Sequence, residues 1–175
     1  MKKVLLFLLL VVASVSCSDD VSSTYSKAHP VRCNFTVVQY TELFQVIDNF
    51  GQFASIRKSS AKLIMKHGSS ETTYNMLETQ KYFDFGLGGL IVGTTFEGNY
   101  RAYDLSCPNC DRATYRLNIT DDGFAKCPNN TCHIVYNLNY DGIISEVPKE
   151  CNHQNPRALY RYKVAYDGMT LNIYN

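Results

Sequence analysis

Leu90-Ile91-Val92-Gly93-Thr94-Thr95-Phe96-Glu97-Gly98-Asn99-Tyr100-Arg101-Ala102-Tyr103-Asp104-Leu105 decides the fold. Two runs rich in β-branched and aromatic residues flank Glu97-Gly98-Asn99, where a glycine allows a tight reversal, so the stretch predicts a β-hairpin. The residues that follow repeat the pattern. Thr114 to Ile119 alternates, Asp121-Asp122-Gly123 turns the chain into Phe124-Ala125-Lys126, and Ile134-Val135-Tyr136 precedes a turn at Asp141-Gly142. A second hairpin closes the chain: Leu159 to Tyr166, Asp167-Gly168, then Met169 to Tyr174. Short strands separated by regular turn signals predict an all-β sandwich or small barrel. The abundance of Tyr, Phe, Val, Ile and Thr agrees.

Upstream the pattern is weaker. Val31 to Tyr40 reads as a strand, Leu43 to Phe50 as a short helix or strand ending at Gly51, and Ala61 to Met65 as a strand before a loop at Gly68-Ser69-Ser70. Gly86-Leu87-Gly88-Gly89 has the glycine content of a phosphate loop, but a strand follows it where such loops need a helix N-terminus. It reads instead as a tight backbone lead-in to a sheet.

The chain begins as an export signal: Lys2 and Lys3, an apolar run from Val4 to Ala13, then small residues up to Cys17. The apolar run is too short for a membrane-spanning helix. Cys17-Ser18-Asp19-Asp20 resembles the lipidation site of bacterial lipoproteins, although Ser14 stands where such signals usually carry Leu. The expectation is a lipid on Cys17 and a place in the cell envelope, at the outer membrane or cell surface, or secretion if Cys17 stays unmodified. The organisation expected is signal 1–16, lipidated tether 17–30, N-terminal extension 31–85 and a metal-site domain 86–175. Loss of Lys2 and Lys3 with the signal takes the formal net charge from +1 to −1, which argues against a nucleic-acid partner.

Seven cysteines remain an odd set until Cys17 is set aside for lipid. Four of the other six fall in two turns, Cys107-Pro108-Asn109-Cys110 and Cys127-Pro128-Asn129-Asn130-Thr131-Cys132, sixteen residues apart. Two cysteine pairs on two turns can place four sulfurs around one metal, with backbone N–H groups of the turns aimed at the thiolates. In an exported chain the same four can also close as disulfides, leaving no cofactor. Zinc on Cys107, Cys110, Cys127 and Cys132 is the first expectation, because zinc can be acquired outside the cell.

Tyr103-Asp104-Leu105-Ser106-Cys107-Pro108, the second turn at Cys127-Pro128, and Tyr136-Asn137 with Asp141-Gly142 resemble a Rieske domain over about residues 86–175. Rieske-like lipoproteins of gut Bacteroides, with cysteines in these turns, are the nearest resemblance, and the Asp19-Asp20 pair resembles surface-export tags of that group. The family's turns read Cys-x-His and Cys-x2-His. Here Cys110 stands one residue beyond the first histidine's place. Cys132 follows Cys127 by five residues rather than three, at the right distance from Tyr136-Asn137 to replace the second. The resemblance implies a two-iron, two-sulfide cluster and electron transfer with a redox or surface-protein partner. Replacing both histidines implies a low potential, near the roughly −400 mV of all-cysteine clusters rather than the roughly −150 to +300 mV of Rieske centres. It also puts Cys151 in the loop that closes over the metal site, with a Cys33–Cys151 disulfide as one pairing of the two leftover cysteines.

His133, beside Cys132, is a candidate substitute ligand, whereas His29, His67 and His153 read as surface residues. Asp19-Asp20 and Asp121-Asp122 read as solvated pairs. Asn34, Asn118 and Asn129 begin glycan-acceptor triplets that matter only in a eukaryotic host. No nucleophile is matched with a base, no metal position is left open and no cofactor loop is present, so a binding, electron-transfer or purely structural module is expected ahead of an enzyme.

Overall fold

The computed structural model describes residues 25–175; the signal, Cys17 and Asp19-Asp20 lie outside the described residues. The chain is all-β. Among the described residues the thirteen strands are β1 Val31–Thr36, β2 Gln52–Ser59, β3 Lys62–His67, β4 Ser70–Asn75, β5 Asp84–Phe85, β6 Leu90–Thr94, β7 Tyr100–Asp104, β8 Asn118–Ile119, β9 Phe124–Lys126, β10 Val135–Asn137, β11 Ile143–Glu146, β12 Arg161–Tyr166 and β13 Thr170–Tyr174. Nine form one sheet in the order β4-β3-β2-β6-β7-β12-β13-β1-β5, and four form a second, β11-β10-β9-β8. Strands from residues 31–85 and from 86–175 share the large sheet: β2 pairs with β6, and β1 pairs with β13.

The predicted 90–105 hairpin is present as β6 and β7, with Leu90 opposite Asp104 and Thr94 opposite Tyr100. Its turn closes through Gly98 N–H donating to Thr95 O and Thr95 N–H donating to Asn99 O, both at 2.9 Å. The terminal hairpin is β12 and β13. Thr114 to Ile119 yields only the two-residue β8, plus a bridge from Arg116 to Ser106.

The large sheet curls. The ring of Tyr74 in edge strand β4 meets that of Tyr40, just past β1, with centroids 5.0 Å apart. Inside the curl lies a core of Val31, Phe35, Leu63, Met65, Leu90, Val92, Leu171 and Ile173. Helix α1, Thr41–Asp48, adds Leu43 and Ile47 to it from one face. Thr94 Oγ1 donates to Ile47 O at 3.0 Å and ties the last turn of that helix to β6. Burying Glu42 in this core is tolerable because the Tyr74 hydroxyl donates to its carboxylate at 2.8 Å.

β6 is buried along its whole length because both of its faces are covered. Leu90 and Val92 face the curl, while Ile91 faces a second core with Phe53, Tyr103, Leu105, Ala125, Ile134, Tyr136 and Leu138. That second core lies between the central strands and the four-stranded sheet. Tyr103 Oη spans it, donating to Leu138 O at 2.9 Å. Cys107, Cys127 and Cys132 belong to this second core.

Candidate metal centre

Two strand ends deliver the cysteines. Cys107 follows β7, and its N–H donates to Tyr115 O at 3.0 Å. Cys127 follows β9 and Cys132 precedes β10, with Cys127 N–H donating to Ile134 O at 3.0 Å. The first knuckle closes with Asp111 N–H donating to Cys107 O at 3.0 Å, the second with Cys132 N–H donating to Asn129 O at 2.9 Å. In each, the residue after the second cysteine turns left-handed: Asp111 at φ 50° and His133 at φ 51°. Asp and His are among the side chains that tolerate this region best.

All four sulfurs lie within 4.8 Å of one another. Cys107 Sγ is 3.8 Å from Cys132 Sγ, and Cys110 Sγ is 3.6 Å from Cys127 Sγ. These are non-bonded separations, far beyond the roughly 2.05 Å of a disulfide. A tetrahedral zinc site with Zn–S of about 2.3 Å has sulfur–sulfur edges of about 3.8 Å. The four cysteines therefore fit a single tetrahedral ion and can hold one.

Donors surround the sulfurs. The N–H groups of Asn109 and Cys110 face Cys107, that of Asn129 faces Cys127, and that of Ile134 faces Cys132. The Asn129 amide donates to Cys110 Sγ at 3.2 Å, and the Tyr136 hydroxyl lies 3.3 Å from Cys107 Sγ. A hydrogen bond from the Cys127 thiol, with the Tyr136 hydroxyl and backbone N–H groups, outweighs burial and brings Cys107 down to about 5. Donating that proton, together with burial, pushes Cys127 up, and burial pushes Cys132 up to about 12. Metal ligation needs thiolates, so an ion binding here must displace the protons that these sulfurs carry. Burial likewise pushes the Tyr136 hydroxyl up, which keeps it a neutral donor.

A loop straps the knuckles together. Asn109 accepts from Arg157 N–H at 2.7 Å and donates to Arg157 O at 3.0 Å, and the Arg157 guanidinium donates to Pro108 O at 2.5 Å. On the other side Asn152 N–H reaches Thr131 O at 3.4 Å. The Pro and Asn residues of these turns are expected from sequence to shape knuckles whose backbone N–H groups face the sulfurs; the structure adds the side-chain bonds of Asn109 and Asn129. Their signal was the repeated Cys-Pro-Asn that opens both knuckles.

The other candidates separate. Cys33 is a free thiol inside the curled core, whereas Cys151 packs against the cysteine cluster. The structure does not join them, because the central strands part the two cores; the Cys33–Cys151 bridge is corrected to two unlinked thiols. His153, expected at the surface, lies within 4.8 Å of both Cys132 and Cys151 through their ligand atoms. His133 contributes no ligand atom to the four-cysteine group. His67 is held by Gln45 and Gln52, and His29 packs edge-on against Tyr160.

The glycine run 86–89 wraps a carboxylate instead of a phosphate. Asp104 is fully buried and accepts from Leu87 N–H at 2.6 Å, Gly88 N–H at 3.1 Å, Ser106 N–H at 2.8 Å and Tyr162 Oη at 2.8 Å. A Cβ at Gly86 would strike Asp104 and one at Gly88 would strike Ser106, so this approach needs glycine. Through Ser106 the same carboxylate fixes the backbone one residue before Cys107. Among the described residues no helix is long and apolar enough to cross a membrane. Comparison with family models, with curated proteins and with solved structures gives no match.

Proposed function

We propose that the chain is an exported, lipid-anchored envelope protein of Rieske-like type, whose four cysteines hold one zinc ion as a structural clamp. The observation that carries this reading is the sulfur spacing. Separations of 3.6 and 3.8 Å, with all four sulfurs inside 4.8 Å, suit one tetrahedral ion. A two-iron cluster holds its cysteine pairs on separate metals and spreads them further apart. Four protein donors also leave no open position for substrate, which supports a structural role over a catalytic one. The ion, when bound, supplies a charge-compensated crosslink between the β7 end and the β9–β10 turn. Export supports zinc as well, since an unfolded chain crosses the membrane without a preassembled cluster.

Electron transfer through a two-iron cluster is the second reading. It is favoured by the donors on the sulfurs from Tyr136 and Asn129, since such bonds tune cluster potentials. Native mass and X-ray fluorescence on protein taken from its own membrane decide between them. One zinc per colourless chain supports the clamp, and a brown protein with two irons replaces it with the electron carrier. A metal-free chain lacking four hydrogens overturns both. The anchor is tested by phase partition: Cys17→Ala should move the protein from the detergent phase to buffer, and a wild type already in buffer ends the lipoprotein reading.

A further inference from the structure

The 148–157 strap carries two metal-binding side chains that the four-cysteine site does not use. Cys132 Sγ, Cys151 Sγ and a ring nitrogen of His153 lie within 4.8 Å of one another. Cys132 therefore belongs to two donor groups at once. We propose that Cys132, Cys151 and His153 form a second zinc site, joined to the first through a shared Cys132 thiolate; the sharing rests on the reading that the four cysteines hold an ion.

Three arguments carry it. The donor set, two sulfurs and an imidazole, is of the kind zinc takes, and the three atoms already lie within reach of one ion. The strap is held in place by its bonds to both knuckles, so Cys151 and His153 are brought there by tertiary structure and not by chance exposure. Charge favours it too. Zinc on four thiolates carries two net negative charges, and three of those four sulfurs are buried. A second zinc brings two positive charges and adds one thiolate, so the pair carries one net negative charge, which lowers the cost of burying it. Binding breaks the Cys151 S–H bond, forms a sulfur–metal bond and releases that proton to solvent.

The two positions differ in kind. The inner has four protein donors and is closed. The outer has three, with Cys151 and His153 only half-buried, and leaves its fourth position to water or to a donor from a partner. The outer ion is therefore the exchangeable one and binds more weakly.

Zinc titration of the mature chain, read by native mass spectrometry, tests this. The wild type should take two ions, the second at least tenfold more weakly. Cys151→Ser and His153→Ala should each hold only one while keeping the first. Loading with cadmium-113 should give two resonances coupled through the Cys132 sulfur. One ion at millimolar zinc overturns the second site, as does a second ion that survives both substitutions. Failure of the inner site looks different: the tightest ion then depends on His153 and is indifferent to Cys110→Ser, which keeps the outer position and removes the inner.

Discussion

The two cores of this protein each bury cysteine, and they use it for opposite ends. Inside the curled sheet, Cys33 lies among Val31, Phe35, Tyr40 and Ile173, and burial pushes its thiol up. It is a small apolar filler, inert because nothing nearby stabilises a thiolate. Between the central strands and the small sheet, Cys107, Cys127 and Cys132 are as deeply buried, yet a thiol, a tyrosine and two backbone N–H groups converge on Cys107 and bring it down to about 5. Burial alone does not tell a packing cysteine from a ligand. The donors around the sulfur do.

The largest test of this contrast is metal removal. On the proposed zinc clamp, stripping the ion, or Cys127→Ser, should remove stabilisation on the order of 10 kcal/mol from the knuckles. Hydrogen exchange should then rise over residues 105–138 while β1 to β3 stay protected; a uniform rise along the chain breaks the distinction. Phe35→Ala attacks the other core. Phe35 is fully buried, so the change should cost about 4 kcal/mol by denaturant unfolding, with metal stoichiometry unchanged from the wild type. Asp104→Asn strikes the joint between the cores, setting an amide against donors that need an acceptor. A loss of about 3 kcal/mol is expected, with weaker zinc retention because Ser106 and Cys107 lose their anchor.

Smaller effects sharpen the comparison. Cys33→Ala should cost about 1 kcal/mol and leave zinc stoichiometry untouched, as a filler requires. Altered zinc binding there would mean that the cores communicate. Asp141 gives the smallest effect. Burial opposes its ionisation, but hydrogen bonds and charge from Arg101 and Arg161, at 2.7 and 2.5 Å, hold its carboxyl below the ordinary range. Its contribution is present in full above the unfolded value near pH 4 and is lost as pH falls through the lower folded value. The melting-temperature gap between wild type and Asp141→Asn should therefore narrow below about pH 4 and stay constant above it.

Legibility followed how local each signal was. The 90–105 hairpin could be read because alternation and a glycine turn lie within one stretch. β2 could not, because Phe53 and Ala54 are both buried: the strand is covered on two faces and its alternation is blurred. β4, Ser70 to Asn75, is a polar edge strand and reads as loop for that reason. The Rieske-like resemblance covered only residues 86–175, whereas the nine-stranded sheet draws on both halves of the chain.

The sequence by itself determined the strand-forming class, the hairpins and the two Cys-Pro-Asn knuckles, because each is written within one short continuous stretch of chain. Only the tertiary structure decided which cysteines meet. Cys33 and Cys151 looked alike as leftovers, yet one is sealed inside the curled sheet and the other rests against Cys132. That outcome depends on a loop held forty-eight residues away by Asn109 and Arg157, and on a sheet whose two faces separate two cores. Contacts of that range are set by the packing of whole elements, which no local spacing of residues records.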